Sequence, residues 1–350
     1  MLHAVTVIPP PVSGQTLATR AMLTHLAKTG QLRTYSLSHT GTRGWVWSVR
    51  KHLGVSLRIA HALLSAQPRD SLYLVPDSGL GLIGLSMQSW WIARHRQQVW
   101  LHHHVMSYLA TPSWRMSRIL RRLGPGVHHI VLAATMAEEL RRHYDVQADR
   151  IHILGNTPLI DPPNLCQRPN LQCVGYLGQV STEKGINHFM ATIRLLADHG
   201  TRVRALIAGP IPSAAIAQKV AIFIAEDPTH RQSLGMVKGA DKNGFFAKID
   251  VLLFPSIYAN EAQPLTIFEA LASGCPVLAT PRGCIPAQLP PSWIMTDANW
   301  SEAAAETITD WIKEPDLYAA ACACAALQWA QAYAHDQAAL NRLIPRMVGR

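Results

Sequence analysis

Short apolar runs alternate along the chain with longer segments whose apolar residues recur at helical spacing. Runs rich in Val, Ile and Leu at successive positions predict strands that are covered on both faces. They span residues 4–8, 71–75, 98–102, 129–133 and 151–154 in the first half, and 173–177, 204–208, 251–254 and 276–279 in the second. This alternation predicts an α/β protein built from doubly wound parallel sheets.

A cluster of Pro and Asn at residues 159–170 predicts a linker between two similarly built halves. We expect a first domain over residues 1–162 and a second over residues 170–329. A chain of 350 residues is long enough for two domains of ordinary size.

The composition describes a globular protein, with 48% hydrophobic and 15% charged residues. The first ten residues lack the basic start and long apolar core of a signal peptide. The longest uncharged stretch, residues 78–93, is too short and too polar to predict a membrane span. The six cysteines lack the paired spacing of zinc sites, so we expect a reduced, cytoplasmic protein.

Charge is distributed unevenly between the two halves. Residues 1–165 hold 17 Lys and Arg against 7 Asp and Glu, a net charge of +10, whereas residues 166–350 hold 15 of each. Thirteen of the 17 histidines also fall in the first half. The first half therefore suits an anionic partner, such as phosphate, nucleic acid or acidic lipid. Nucleic acid is disfavoured because no recognised reading motif accompanies the basic residues.

The segment GLGLIG, residues 79–84, matches the glycine pattern of dinucleotide-binding loops and follows a predicted strand. A dinucleotide site also needs an acidic residue at the end of the next strand, to bind a ribose. That strand ends in WLHHH, without an acid. We therefore interpret the segment as a tightly packed helix start.

Two loops after predicted strands could approach a phosphate. In IPPPVSGQT, residues 8–16, Gly14 would let a ligand come close to the backbone at a helix start. In YLGQVSTEKGINHFM, residues 176–190, Lys184 lies just before a helix and could bind a phosphate as a point charge. An ordinary turn and an exposed structural lysine remain the alternatives.

Glu261 and Glu269 lie on either side of a predicted helix start, with seven residues between them. A helix beginning near Leu265 offers free N–H groups and a positive dipole end to an anion. One turn inside the helix, Glu269 could accept hydrogen bonds from the vicinal hydroxyls of a ribose, and Glu261 in the loop suits sugar hydroxyls. The order of a carboxylate, a helix start and a second carboxylate thus matches the sugar, the diphosphate and the ribose of a nucleotide-sugar. Two solvated glutamates are the alternative, disfavoured by the apolar residues around them.

This segment resembles the E-x7-E signature of the retaining GT-B glycosyltransferases of the large fourth family, the group 1 glycosyltransferases. Further stretches resemble other parts of the family: PPPVSGQT, VWLHHHVMSYL, GYLGQVSTEKG, LIAGP, GMVKGADKNGFFAKIDVLLFPS, GCPVLATPRGCIP and WAQAYAHDQAALNRLIPRMV. The resemblance covers nearly the whole chain. It implies two Rossmann-like domains facing a cleft, an acceptor-binding first domain, a donor-binding second domain, and a last helix, about 330–350, that crosses back to the first.

The resemblance also implies roles for individual residues. Glu269 would bind the ribose, Glu261 would touch the donor sugar, and Lys184 would neutralise the diphosphate. Gly14 would approach the donor phosphate, and His104, or else His103 or His102, would contact the sugar near its anomeric carbon. The remaining donor contacts would come from the backbone N–H groups of Leu265, Thr266 and Ile267.

The chain departs from the family pattern at three places. Gln179 stands where the family usually has an arginine, which removes one cation from the diphosphate site. Ser13 or Gln15 replaces a frequent second glycine of the first loop, and Ala287 replaces a frequent glutamate after the pair Gly283–Cys284. Because Gln179 replaces this arginine, an alternative function stays open. The protein would then be a catalytically weak nucleotide-sugar-binding or scaffold subunit of a polysaccharide assembly complex.

The activity that the resemblance implies is transfer of a hexose, with retention, from a UDP- or GDP-sugar to a lipid-linked or saccharide acceptor, in bacterial polysaccharide or glycolipid assembly. We expect neither a metal nor another cofactor. Residues 45–64 and 113–124 form basic segments with interspersed aromatic and apolar residues. Either segment could lie on an acidic membrane surface, which would place the protein peripherally on the inner face of the cell membrane, or be an ordinary solvated helix.

Overall fold

We describe the protein from a computed structural model, in which residues 1–10, 12–38, 45–67, 69–79, 81–95 and 97–349 are described; the side chains of residues 45–52 and 297 are not. The chain divides into two compact units. Unit 1 comprises Met1–Ile160 and Ala334–Arg350, and unit 2 comprises Asp161–Tyr333. Pro11, Leu80 and the side chains of residues 45–52, which belong to patterns noted in the sequence, therefore lie outside what is described.

Unit 1 contains a six-stranded parallel sheet in the order β2-β1-β3-β4-β5-β6. Its strands are β1 (Leu2–Val7), β2 (Leu32–Leu37), β3 (Ser71–Leu74), β4 (Gln98–His102), β5 (His128–Val131) and β6 (Ile151–Ile153). Its helices are α1 (Gly14–Ala27), α2 (Trp45–Ser65), α3 (Gly81–Arg94), α4 (Ser107–Ala110), α5 (Trp114–Leu123) and α6 (Ala134–Tyr144).

Helix α1 and the end of the chain cover one face of this sheet. Met22 and Leu26 of α1 pack with Tyr73 and Trp100, which project from the central strands. Leu340, Leu343 and Met347 complete the same buried cluster from the last helix. Right-handed crossovers place α2, α3 and α5 together on the opposite face, because these connections run across the sheet in the reverse direction.

Unit 2 contains a five-stranded parallel sheet in the order β11-β10-β7-β8-β9. Its strands are β7 (Cys173–Leu177), β8 (Arg204–Ala208), β9 (Arg231–Gly235), β10 (Val251–Phe254) and β11 (Val277–Ala279). Its helices are α7 (Ile186–Asp198), α8 (Ala214–Glu226), α9 (Ala240–Lys248), α10 (Leu265–Ala272) and α11 (Trp300–Lys313); α12 (Pro315–Met347) begins in unit 2 and ends in unit 1.

The predicted class, α/β with two doubly wound parallel sheets, is confirmed. All nine predicted strands form, and β4, β7, β8 and β10 have the predicted bounds. Strands β2 and β9 were not predicted. Both lie at sheet edges and are partly exposed, with polar sequences such as LRTYSL, so they lack the continuous apolar signal of a covered strand.

The GLGLIG segment leads into α3, which begins at Gly81. A Cβ atom at Gly81 would lie 2.4 Å from the Cβ atom of Asp77, so this glycine is required by close packing. The interpretation as a packed helix start agrees with this contact. Within the described part of the chain, every helix is too short or too polar to cross a membrane.

Candidate functional site

The strand order of unit 2 reverses between β7 and β10, which are neighbours in the sheet. Chain connections leave these two strands in opposite directions across the sheet, which opens a crevice at their carboxyl ends. Ligands of open α/β sheets bind in such crevices. The loop after β7 carries Lys184 and the loop after β10 carries Glu261, so the topology explains why residues 77 positions apart meet.

Glu261 is bound by two donors in the crevice. Its Oε2 atom accepts hydrogen bonds from Nζ of Lys184 at 2.5 Å and from Oγ of Ser256 at 2.8 Å. Ser256 is buried, and its carbonyl oxygen accepts a hydrogen bond from the hydroxyl of Thr280. Nζ of Lys184 also lies 4.6 Å from the ring centroid of Tyr258. The site thus holds an ammonium group and a carboxylate in contact, at the position of the predicted sugar and diphosphate contacts.

Two glycines allow these loops to come close together. Gly283 has a φ of +52°, and a Cβ atom there would lie 1.9 Å from the carbonyl oxygen of Glu261. Gly185 has a φ of +80°, and its Cβ atom would lie 1.9 Å from the carbonyl oxygen of Pro255. Only glycine combines this conformation with such an approach. These close backbone contacts therefore hold the loop that carries Glu261 and the loop that carries Lys184 in position.

Helix α10 begins at Leu265, as predicted, directly after the loop that carries Glu261. Its N-cap residue is Pro264, which makes no side-chain capping hydrogen bond. The N–H groups of a helix's first turn have no partner within the helix. Those of Leu265, Thr266 and Ile267 stand at the start of α10, directly after the loop that carries Glu261, where we expect an anion to bind.

Glu269 lies one turn inside α10 and is only 6% exposed. Its Oε1 atom accepts a hydrogen bond from Nζ of Lys242, on α9, at 2.5 Å. Sequence reasoning did not identify Lys242, because no spacing links a lysine on one helix to a glutamate 27 positions later on another. A buried carboxylate requires a compensating cation, which is the only signal that could have prompted a search for this lysine.

Gln179 lies in the loop after β7, at the position where the resemblance implies an arginine. Its carbonyl oxygen, like that of Lys184, accepts a hydrogen bond from the hydroxyl of Tyr176, at 2.9 and 3.2 Å. The hydroxyl of Tyr176 thus connects the two ends of the segment from Gln179 to Lys184. Among the described residues, Lys184 and Lys242 are the two cations that bind Glu261 and Glu269.

In unit 1, Gly14 is exposed and is the first residue of α1. Ser13 is the N-cap, and its Oγ atom accepts a hydrogen bond from the N–H group of Thr16 at 3.2 Å. This capping hydrogen bond stabilises the helix start. The start of α1 follows β1 at the point where the sheet order of unit 1 reverses, which is the ligand-binding end of such a sheet.

The three consecutive histidines come at the end of β4, and all three are buried. The hydroxyl of Tyr73 is joined to Nδ1 of His102 by a hydrogen bond of 2.8 Å. His103 is bonded through both ring nitrogens, to Tyr108 at 2.9 Å and to His129 at 3.0 Å. His103 therefore has a structural role in the sheet.

His104 differs from His103 because its Nε2 atom has no hydrogen-bond partner among the described residues. Burial lowers the pKa of His104 to about 3, so the imidazole is neutral at physiological pH. Burial, together with the neighbouring histidines, also holds the pKa of His102 well below its usual value. His102 and His104 thus both have neutral, buried rings whose Nε2 atom has no hydrogen-bond partner among the described residues.

Comparisons with known proteins agree with this architecture. Residues 168–314 match the family model of glycosyl transferases group 1. The chain is similar to HepE of Anabaena, solved in complex with UDP, with 16% identity over 100% of both chains and a TM-score of 0.72. A comparison with curated proteins found no match.

Two further solved structures have the same fold. Sucrose-phosphate synthase of Thermosynechococcus elongatus is 13% identical over 98% of this chain and 97% of its own, with a TM-score of 0.73. A glycosyltransferase of Rickettsia africae is 15% identical over 99% of this chain and 98% of its own, with a TM-score of 0.69. The resemblance to the group 1 glycosyltransferases is thus confirmed, by the family match of residues 168–314 and by the GT-B fold of the whole chain.

Proposed function

We propose that this protein is a retaining, metal-independent glycosyltransferase that moves a hexose from a nucleoside-diphosphate-sugar to a lipid-linked or saccharide acceptor. The observation that carries the proposal is the contact of Glu261 with Lys184 directly before the start of α10. It brings together a cation, a carboxylate and a helix start, the three groups that a nucleotide-sugar requires. HepE, which shares the fold, was solved with UDP-glucose, which supports a UDP-sugar as donor; a GDP-sugar is the other candidate.

In this proposal the diphosphate lies at the start of α10, against the N–H groups of Leu265, Thr266 and Ile267. Lys184 exchanges part of its contact with Glu261 for the diphosphate, whose negative charge grows as the bond to the sugar breaks. Fixed dipoles and a positioned ammonium group stabilise such a charge more than mobile water does. Glu261 then accepts hydrogen bonds from the sugar, and Glu269 from the ribose.

Gln179 contributes no charge to the diphosphate. Lys242, whose charge is matched by Glu269, would lie beside the ribose, so Lys184 is the cation that we assign to the diphosphate. From unit 1, Gly14 would offer its N–H group to the donor phosphate, and the neutral ring of His104 would contact the sugar near the anomeric carbon. Acceptor binding by unit 1 belongs to the same proposal, as does a role in polysaccharide or glycolipid assembly at the inner face of the membrane.

Donor hydrolysis tests the proposal without knowledge of the acceptor. The protein is incubated with UDP- and GDP-sugars, and release of the nucleoside diphosphate is measured alongside the nucleotide-induced shift of the melting temperature. We expect one nucleoside diphosphate to raise the melting temperature and its sugar to be hydrolysed slowly. Binding without hydrolysis or transfer would favour the scaffold subunit, whereas absence of nucleotide binding would exclude both functions.

A further inference from the structure

Unit 1 has an exposed apolar surface on its three neighbouring helices α2, α3 and α5. Helix α3 packs against both of the others, and side chains join them: Gln88 donates to Ser56 at 2.6 Å, and Arg122 to the carbonyl oxygen of Ser86 at 2.6 Å. Eight large apolar side chains project outward from these helices, between 41% and 82% exposed. They are Leu53, Leu57, Leu64, Ile83, Met87, Trp90, Trp91 and Trp114, which together we name the apolar face.

The spacing shows that this exposure is organised by the helices. On α3, Ile83, Met87 and the pair Trp90–Trp91 recur every three or four residues, whereas Leu82, Leu85 and Ile92 are buried. On α2, Leu53, Leu57 and Leu64 follow the same rule. Each helix therefore has two apolar stripes, one against the protein and one in solvent. A helix that packs only against the rest of its own protein needs only the stripe that faces the protein.

Positive charge accompanies the apolar face. Arg94 lies 3.7 Å above the ring of Trp90, and Arg115 lies 4.8 Å above the ring of Trp114. Arg118 and Arg121 project into solvent from the outer side of α5.

Negative charge is almost absent from the same part of the chain. Residues 1–137 contain 14 Lys and Arg but only two acids, Asp70 and Asp77, and neither is on α2, α3 or α5. Asp70 is bound by the amino terminus at 2.9 Å and by His3 at 3.0 Å. The apolar face is therefore bordered by arginines, without a carboxylate on its three helices.

We propose that the apolar face docks onto an anionic lipid bilayer, inserting Met87, Trp90 and Trp91 among the lipids while Arg118 and Arg121 contact the headgroups. Tryptophan and arginine suit this boundary, because each combines an apolar body with a polar group that remains in the headgroup region. The proposal extends the membrane location given above by naming the surface and its mode of contact. It requires no catalytic activity and can fail or succeed independently of it.

A second copy of the chain is a poorer occupant. A two-fold interface would place this surface, which is bordered by arginines and lacks carboxylates on its helices, against its own copy, so that positive charge would face positive charge. A bilayer supplies what the surface lacks, a plane of negative charge over a hydrocarbon layer. Three neighbouring helices with outward apolar stripes match such a plane.

The test is co-sedimentation of the full chain with phosphatidylcholine vesicles, with and without phosphatidylglycerol, at low and high salt. Wild type should pellet with the acidic vesicles and leave a bound fraction at high salt. Substituting Met87→Ser, Trp90→Ser and Trp91→Ser should weaken binding at least roughly tenfold at both salt concentrations. Substituting Arg118→Gln with Arg121→Gln should weaken it about thirtyfold at low salt and little at high salt.

Matched controls come from unit 2. Ile222→Ser, Leu317→Ser and Leu327→Ser remove exposed apolar side chains of similar size, and Arg202→Gln with Lys219→Gln removes two exposed charges. Both controls should bind vesicles as wild type does. Quenching of wild-type tryptophan fluorescence by brominated lipid requires no variant, and should be weaker in neutral vesicles than in acidic ones.

Three results would overturn the proposal: wild type that ignores acidic vesicles, controls that lose binding as much as the test variants, or absence of quenching by brominated lipid. Sedimentation velocity distinguishes the two other possible partners of the apolar face, a second copy of the chain and a nucleic acid. Dimerisation that the serine substitutions abolish, without vesicle binding, would assign the apolar face to a second copy. Salt-sensitive binding to single-stranded nucleic acid, again without vesicle binding, would assign it to base stacking.

Discussion

Nζ of Lys242 lies 2.5 Å from Oε1 of Glu269, so the buried carboxylate of α10 is neutralised by a lysine of α9. The two side chains differ in exposure: that of Glu269 is almost fully buried, whereas about a quarter of that of Lys242 reaches solvent. Removing one partner therefore has a different effect from removing the other, and a ribose would have to share this carboxylate with the lysine.

Glu269→Ala should weaken nucleoside-diphosphate binding and leave the fold intact. Loss of two charge-assisted hydrogen bonds to a ribose costs about 2–4 kcal/mol, and Lys242 can turn into solvent. Calorimetry with UDP and GDP measures the affinity, and circular dichroism the fold. Glu306→Ala, on the exposed face of α11, is the control. Unchanged affinity in the Glu269 variant would remove the ribose contact from the proposed function.

Lys242→Met should destabilise the protein by about 1–2 kcal/mol, because it leaves the carboxylate of Glu269 buried without a cation. Adding Glu269→Gln should restore part of this loss, since the double variant contains no unpaired buried charge. Urea unfolding of the wild type, both single variants and the double variant measures the coupling. Additive losses would show that the pair contributes little to stability.

Lys184→Gln should lower turnover more than donor affinity, because the charge on the leaving diphosphate is greatest in the transition state. A decrease in kcat of roughly a hundredfold matches the loss of one fixed electrostatic contact. Lys219→Gln, an exposed lysine of α8, should behave as wild type does. Normal turnover at saturating donor would make Lys184 a surface lysine whose partner is only Glu261.

Gly283→Ala should impair donor turnover through the backbone. The new Cβ atom would meet the carbonyl oxygen of Glu261, and the φ of +52° disfavours alanine. Displacement of Glu261 should lower turnover by at least roughly tenfold. Gly126→Ala is the matched control, since nothing lies within 4 Å of its added Cβ atom. Equal activity of the two variants would show that the loop tolerates a shift.

Buried histidines of unit 1 should make the protein less stable in acid. Burial and nearby histidines lower the pKa of His129 to about 3, and burial lowers that of His104 to a similar value. The unfolded chain therefore binds more protons than the folded one as the pH falls below the usual histidine value of about 6.5. The contribution of each neutral histidine to the free energy of unfolding is fully present above that pH. As the pH falls toward the lowered pKa, this contribution decreases by up to about 1.4 kcal/mol per pH unit for each histidine.

Urea unfolding between pH 7 and pH 5 measures this slope. His129→Gln should reduce it, and His199→Gln, at the exposed end of α7, should not. A stability independent of pH over this interval would contradict the neutral state of the buried histidines.

The sequence predicted the covered strands well, because continuous apolar runs are distinctive, and it missed the polar edge strands β2 and β9. It also predicted the start of α10, and it singled out Lys184 and Glu261, whose roles stay proposals, because each lies in a loop after a recognisable strand. The contact of Lys184 with Glu261 was not predicted, because it depends on the order of strands in the sheet. The outward stripe of α3 was also missed, since an apolar helix residue is indistinguishable in sequence from a core residue.

The last helix of the chain also affects how the protein is made. Residues of α12 close the buried cluster of unit 1, although this unit is otherwise complete by Ile160. The end of α12 must therefore be synthesised before unit 1 can finish folding, whereas every residue of unit 2 is already synthesised by Tyr333. Domains usually fold in the order of their synthesis. Here the unit that begins first completes its core last, so removal of the end of α12 would damage unit 1.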